Sequence, residues 1–120
     1  MIIDIHVHQP IAPQADEGFW DTWKSMWDAG RRAGIDKQVL LGWGAANSNE
    51  LVKELVERYP DQVIGFARGM RSDPQSPATI ERYVVEHGFK GVKLHTEPDL
   101  PLKGILPPFP GSYSHNIFEW

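Results

Sequence analysis

The chain has 120 residues, no cysteine and a formal charge of −4 with neutral histidines. That length suits one hydrophobic core, the charge supplies no basic stripe for nucleic acid, and the missing cysteines exclude disulfide and thiolate chemistry. Hydrophobic residues at 41% and charged residues at 23% describe a globular chain rather than a disordered one.

No apolar run has the length of a membrane span. The N-terminal "MIIDI" carries an acid and lacks the basic region and longer apolar stretch of a signal peptide. The expectation is a cytoplasmic protein with neither nucleic acid nor membrane as partner.

In chain order, residues 2–7 are short and β-branched and predict a first strand. Residues 9–18, with Pro10 and Pro13, read as a loop. Phe19, Trp23, Met26, Trp27 and Gly30 then recur at spacings of three and four, one face of a helix. Gly30 and Gly34 bracket its end, and Arg31 and Arg32 occupy the last turn, where the helix dipole favours cations. Residues 38–41, extending toward Trp43, predict a second strand. Asn47 and Glu50 have the spacing of a capping box, and Leu51, Leu55 and Val56 give the second helix its apolar face. Pro60 and Asp61 stop it. Residues 63–67 predict a third strand. Ser76-Pro77 reads as an N-cap followed by proline at the first helical position. Ile80, Tyr83 and Val84 form that helix's inner face, with His87 at its end, and Gly88 closes it. Residues 89–95 predict a fourth strand.

Short apolar strands alternating with helices imply an α/β fold with a parallel sheet. Four strands and three or more helices are expected over residues 1–97. Five of the ten prolines fall at 98, 101, 107, 108 and 110, so residues 98–120 read as an irregular, proline-rich tail.

The chemistry collects at strand ends. His6 and His8 lie two apart, so they share one side of the first strand and can reach one metal ion. Imidazole suits zinc and its first-row neighbours, but a catalytic zinc takes three protein ligands, and this pair supplies two. Asp4 lies in the same alternation and reads either as a carboxylate orienting a ligand histidine or as a polar residue near the strand's start. Two surface histidines are the plainer alternative. Position favours the metal, because sites in such folds sit at the C-terminal ends of strands. His95 and Lys93 end the fourth strand and would share that mouth. Arg68 and Arg71 follow the third strand and suit a substrate carboxylate, or form a charged loop with Asp73. Trp43 would wall a pocket or fill core. His115 falls in the tail and has no assigned role. No glycine-rich dinucleotide loop, Walker motif, nucleophile elbow or HExxH stretch is present.

"IIDIHVH" at the start, "YPDQVIGFARG" and then "EHGFKGVKLH", in this order, resemble the amidohydrolase superfamily, in particular its amidohydrolase-related metal-dependent hydrolases and non-oxidative decarboxylases. The resemblance runs from Ile2 to about His95. It implies a (β/α)8 barrel, a divalent metal with zinc foremost, and a small organic acid or amide as substrate. His6 and His8 take the metal-ligand role, and His95 comes to the substrate as a catalytic residue. Arg68, Trp43 and Lys93 are the candidates for substrate contact. In binuclear relatives a carboxylated lysine on the fourth strand bridges two metals. Lys93 sits on that strand, and this role is not carried over to it. Histidines after strands five and six and an aspartate after strand eight complete the family's site, and none is present here.

Such barrels need about 250 residues, so the chain corresponds to the first half. The expectation is a truncated hydrolase, with loss of activity as one outcome. The alternatives are a decarboxylase of the same superfamily, or a non-catalytic α/β fragment or oligomeric interaction domain. An open half barrel leaves an edge strand uncovered, which leads to aggregation or to a second copy completing the barrel as a homo-oligomer.

Overall fold

The structure, a computed structural model, describes residues 1–95, with the backbone alone at His95. The proline-rich tail expected at 98–120 lies outside the described residues. The element order is β1 (Ile3–His8), α1 (Glu17–Arg32), β2 (Lys37–Leu41), α2 (Ser48–Arg58), β3 (Val63–Met70), α3 (Ser76–His87) and β4 (Gly91–His95). The four strands pair in sequence order, all parallel, and curl into a half-barrel resembling part of a TIM barrel. Among the described residues no helix is long and apolar enough to cross a membrane.

The helices cover one face of the sheet. Leu40, Val63 and Ala67 from the strands pack with Phe19 and Trp23 of α1, Leu51, Val52 and Leu55 of α2, and Tyr83 and Phe89. Each large apolar side chain fully buried there contributes about 1.5–3 kcal/mol. Burial alternates along β3 from Val63 to Met70, so its odd-numbered residues face the helices and its even-numbered residues the opposite side. Two glycines make the layers fit. A Cβ at Gly65 would lie 2.8 Å from Val56 and 3.1 Å from Phe89, and one at Gly30 would lie 2.8 Å from the Gln38 amide.

Helix α1 begins where Asp16 accepts the Phe19 N–H at 3.0 Å and ends with Arg31 and Arg32 in its last turn. Gly88 closes α3 with a φ of 71°. Two expected caps are corrected. Asn47 does stand before α2, but its side chain makes no cap there. Its amide instead donates to Ala12 O at 3.1 Å and Pro13 O at 2.9 Å, tying α2 to the loop after β1. Glu50 makes no capping box, because it takes Tyr83 of α3 with Arg82 and Lys53. Ser76 is the first residue of α3 rather than its N-cap, which is Gln75, and its hydroxyl accepts the Met70 N–H at 2.8 Å.

β1 and β2 shift by one residue at a bound, and β3 and β4 differ more. β3 runs on to Met70 because β4 pairs with it through Gly69 and Met70. β4 starts only at Gly91, because the Phe89 N–H closes α3 on Tyr83 O and the Lys90 N–H donates to Gly65 O.

Candidate functional site

Val7 packs toward the helices, so His6 and His8 on either side of it belong to the other, concave face. An irregularity in the β1–β2 register falls between Asp4 and Val7. There Asp4 Oδ1 accepts the His6 N–H at 3.0 Å. The Asp4 carboxylate therefore holds the main chain of His6, and no bond to an imidazole ring joins it among the described residues. It supports the bend at the pair without setting a tautomer.

His8 is oriented by a main-chain carbonyl. Its Nδ1 lies 3.0 Å from Leu41 O. A carbonyl oxygen only accepts, so Nδ1 carries the hydrogen, and in the neutral ring Nε2 keeps its lone pair. The His6 and His8 ring centroids are 5.0 Å apart with planes at 89°. Two imidazoles bound through nitrogen to one tetrahedral zinc have centroids about 5 Å apart, given Zn–N bonds of about 2.0–2.1 Å. The separation of the pair is compatible with one shared ion. Among the described residues no group of three or more histidine, cysteine, aspartate or glutamate side chains could hold a metal, so within that set the pair is two ligands and no more.

Trp43 stands beside the pair, its ring 5.5 Å from that of His8, and is 44% exposed. Its main chain is fixed by Gln9, which donates through Nε2 to Trp43 O at 2.7 Å and accepts the Trp43 N–H at 3.1 Å. Gln9 is 2% exposed, which is low for a glutamine just past a strand.

Arg68 belongs to the concave side of β3. Its guanidinium donates to Ala45 O at 3.0 Å and to Met70 Sδ at 3.4 Å, and its Nε is buried without a partner. Asn49 fixes its main chain by two bonds. Arg68, Asn49, Trp43, Ala45, Met70 and Ser76 help to line a cavity of about 700 Å³ at the C-terminal ends of β2 and β3. Trp43 links this cavity to the histidine pair.

Lys93 is the register partner of Arg68 and so shares its face, while His95 is the register partner of Met70. The His95 side chain lies outside the described residues, as does His115. Arg71 follows β3 in the turn, exposed. His87 sits at the far end of α3, 3.8 Å from Glu57 and away from this mouth. The predicted residues His6, His8, Trp43, Arg68 and Lys93 thus gather along the strand ends of one sheet. Sequence reasoning passed over Gln9 and Asn49, which position two of them. The available signal was a primary amide just past β1 and another at the start of α2.

No protein-family model and no curated protein matches the chain. Among solved structures, it is similar to the crystal structure of 4-oxalomesaconate hydratase from Rhodopseudomonas palustris. The TM-score is 0.64 at 22% identity, over 99% of this chain and 48% of that one. At that identity the likeness is one of fold. The chain spans about half the length of this neighbour.

Proposed function

We propose that this chain carries the first metal-binding elements of an amidohydrolase-like enzyme, a metal-dependent hydrolase acting on a small organic acid or amide. The observation that carries the reading is the His8 ring. Its bond to Leu41 O leaves Nε2 as an acceptor, and the His6 ring stands at the centroid distance one ion requires. His6 and His8 would hold a divalent cation, with zinc the natural choice for imidazole. Such an ion, when bound, polarises a carbonyl and lowers the pKa of water.

The other residues bind and orient. Arg68 suits a carboxylate, since its guanidinium offers a planar fork of donors. Lys93 adds a second cation on the same face and Trp43 offers an apolar wall, with His95 as the proposed proton carrier. The chemistry of the structural neighbour favours hydrolysis over decarboxylation as the first reading. That neighbour is a hydratase, and hydration and hydrolysis both consume water, whereas decarboxylation does not.

Elemental analysis of a monodisperse preparation tests the reading, with a His6→Ala/His8→Ala variant beside it. About one ion per chain, lost in the variant, is the expected result. Wild-type protein that takes up no zinc, iron or manganese on reconstitution overturns it.

A further inference from the structure

We infer that the cavity between the starts of α2 and α3 is a carboxylate subsite, in which Arg68 and Ser48 hold the acid group of an aromatic or unsaturated monocarboxylate. This rests on the reading of Arg68 above, and adds the second donor and the class of acid.

Among the described residues the Arg68 guanidinium is incompletely satisfied. Nη1 donates to Ala45 O at 3.0 Å, Nη2 has only the Met70 sulfur at 3.4 Å, and Nε is buried without a partner. A thioether is a weak acceptor. Nε and Nη2 form one edge of the planar fork, and such an edge takes the two oxygens of a carboxylate side by side. A buried donor without an acceptor is costly, so a carboxylate that reaches this edge gains a bond the chain leaves unmade.

Ser48 supplies a second unmet donor. It is 1% exposed and lines the same cavity, and among the described residues its hydroxyl has no hydrogen-bond partner. Gly42 brings the two together. A Cβ there would lie 2.9 Å from Ser48 Oγ and 3.1 Å from Arg68 Cβ, so the hydroxyl and the root of the arginine flank one small residue. The first turns of α2 and α3 add Asn49, Ser76 and Thr79 to the wall, and helix starts favour negative charge.

The rest of the lining selects the acid. Its charged members are Arg68 and Asp73, and Asp73 Oδ1 accepts the Gln75 N–H at 2.8 Å. One carboxylate balances Arg68, whereas a phosphate dianion brings a further charge that Asp73 repels. Trp43, Ala45 and Met70 offer apolar surface, and the Trp43 ring, 44% exposed, suits a flat group lying against it. A volume of about 700 Å³ is that of a small-molecule site. The Trp43 ring also stands 5.5 Å from that of His8, so an acid anchored on Arg68 can extend past the indole toward the histidine pair.

A nuclear magnetic resonance titration of the full chain, labelled with heavy nitrogen, tests this, with benzoate as the probe and no metal added. The Arg68 Nε–H and Trp43 indole N–H resonances are followed, assigned from the spectra of Arg68→Gln and Trp43→Phe. Both are expected to shift together and to saturate. Benzoate should bind more tightly than inorganic phosphate, and at least about tenfold more tightly than neutral benzyl alcohol. Arg68→Gln should lose at least about tenfold in benzoate affinity, and Ser48→Ala about two- to tenfold. Ser48→Ala removes one oxygen and leaves the bond from Arg68 to Ala45 in place, so it tests the site even where Arg68→Gln disturbs the fold. No saturable shift, equal binding of benzyl alcohol, binding of phosphate as tight as that of benzoate, or wild-type affinity in Ser48→Ala overturns this inference. The titration needs no metal, so each of these leaves the histidine reading standing. A chain that binds benzoate but takes up no zinc, iron or manganese overturns the metal reading alone.

Discussion

Asn49 holds Arg68 by both polar groups of its main chain, Nδ2 donating to the Arg68 carbonyl at 3.0 Å and Oδ1 accepting the Arg68 N–H at 2.7 Å. The bonds are half-buried, so truncation strands two main-chain groups away from full hydration. Asn49→Ala is expected to cost about 1–3 kcal/mol in urea denaturation. Asn49→Asp is expected not to restore it, because a carboxylate cannot donate to the carbonyl.

The same clamp aims the Arg68 side chain at the cavity, and this bears on substrate binding in the proposed function. Arg68→Lys loses the planar fork. A lost charge-assisted hydrogen bond costs about 1.5–3 kcal/mol, roughly ten- to a hundredfold in affinity. Kinetics on a carboxylate substrate should place that loss in KM, with kcat less affected. A loss confined to kcat would remove Arg68 from substrate binding.

Glu50 and Tyr83 join α2 to α3 and give the fold a limit at each end of the pH scale. The Tyr83 hydroxyl, helped by Lys53 and Arg82, holds the Glu50 carboxyl below its ordinary range. Burial, then the bond to Glu50, pushes the Tyr83 phenol up to about 12. The Glu50 contribution is present above its unfolded value of 4.5 and is lost as pH falls through the lowered folded one. The Tyr83 contribution is present below its unfolded value of 10.0 and is lost as pH rises toward 12. Tyr83→Phe should cost about 1 kcal/mol at neutral pH and flatten both limbs of a stability–pH curve.

Two glycines separate packing from conformation. Gly65→Ala drives a methyl to 2.8 Å from Val56 and 3.1 Å from Phe89, an overpacking cost of about 1–3 kcal/mol. Gly88→Ala meets nothing within 4 Å, but its φ is 71°, so only left-handed strain remains, about 1–2 kcal/mol. Gly88→Asn should recover part of that loss and Gly65→Ser none of its own, as thermal melts would show.

The elements were legible because their periods are local. The run from Phe19 to Gly30 is helical by spacing alone, and three of its five residues, Phe19, Trp23 and Gly30, are buried. The side-chain caps expected at the starts of α2 and α3 were not legible, because a side-chain oxygen has several possible clients. Ser76 serves the Met70 N–H of the preceding strand, and Asn47 serves carbonyls 34 and 35 residues away. The extension of β3 to Met70 depends on a strand that arrives 25 residues later, measured from Met70 to its partner His95. At the candidate site, alternation along the first strand sufficed to bring His6 and His8 together, whereas Arg68, which the sequence puts after the third strand, reaches the concave face only because β3 extends to Met70. Gln9 and Asn49 escaped notice because an amide that grips main chain across a βα unit leaves no periodic mark.

Three of the side chains that fix main chain at the strand ends are uncharged: Gln9 on Trp43, Asn49 on Arg68 and Ser76 on Met70. None of them titrates between the acid limit set by Glu50 and the alkaline one set by Tyr83. Changes of protonation at the concave face therefore leave these three grips on the main chain intact.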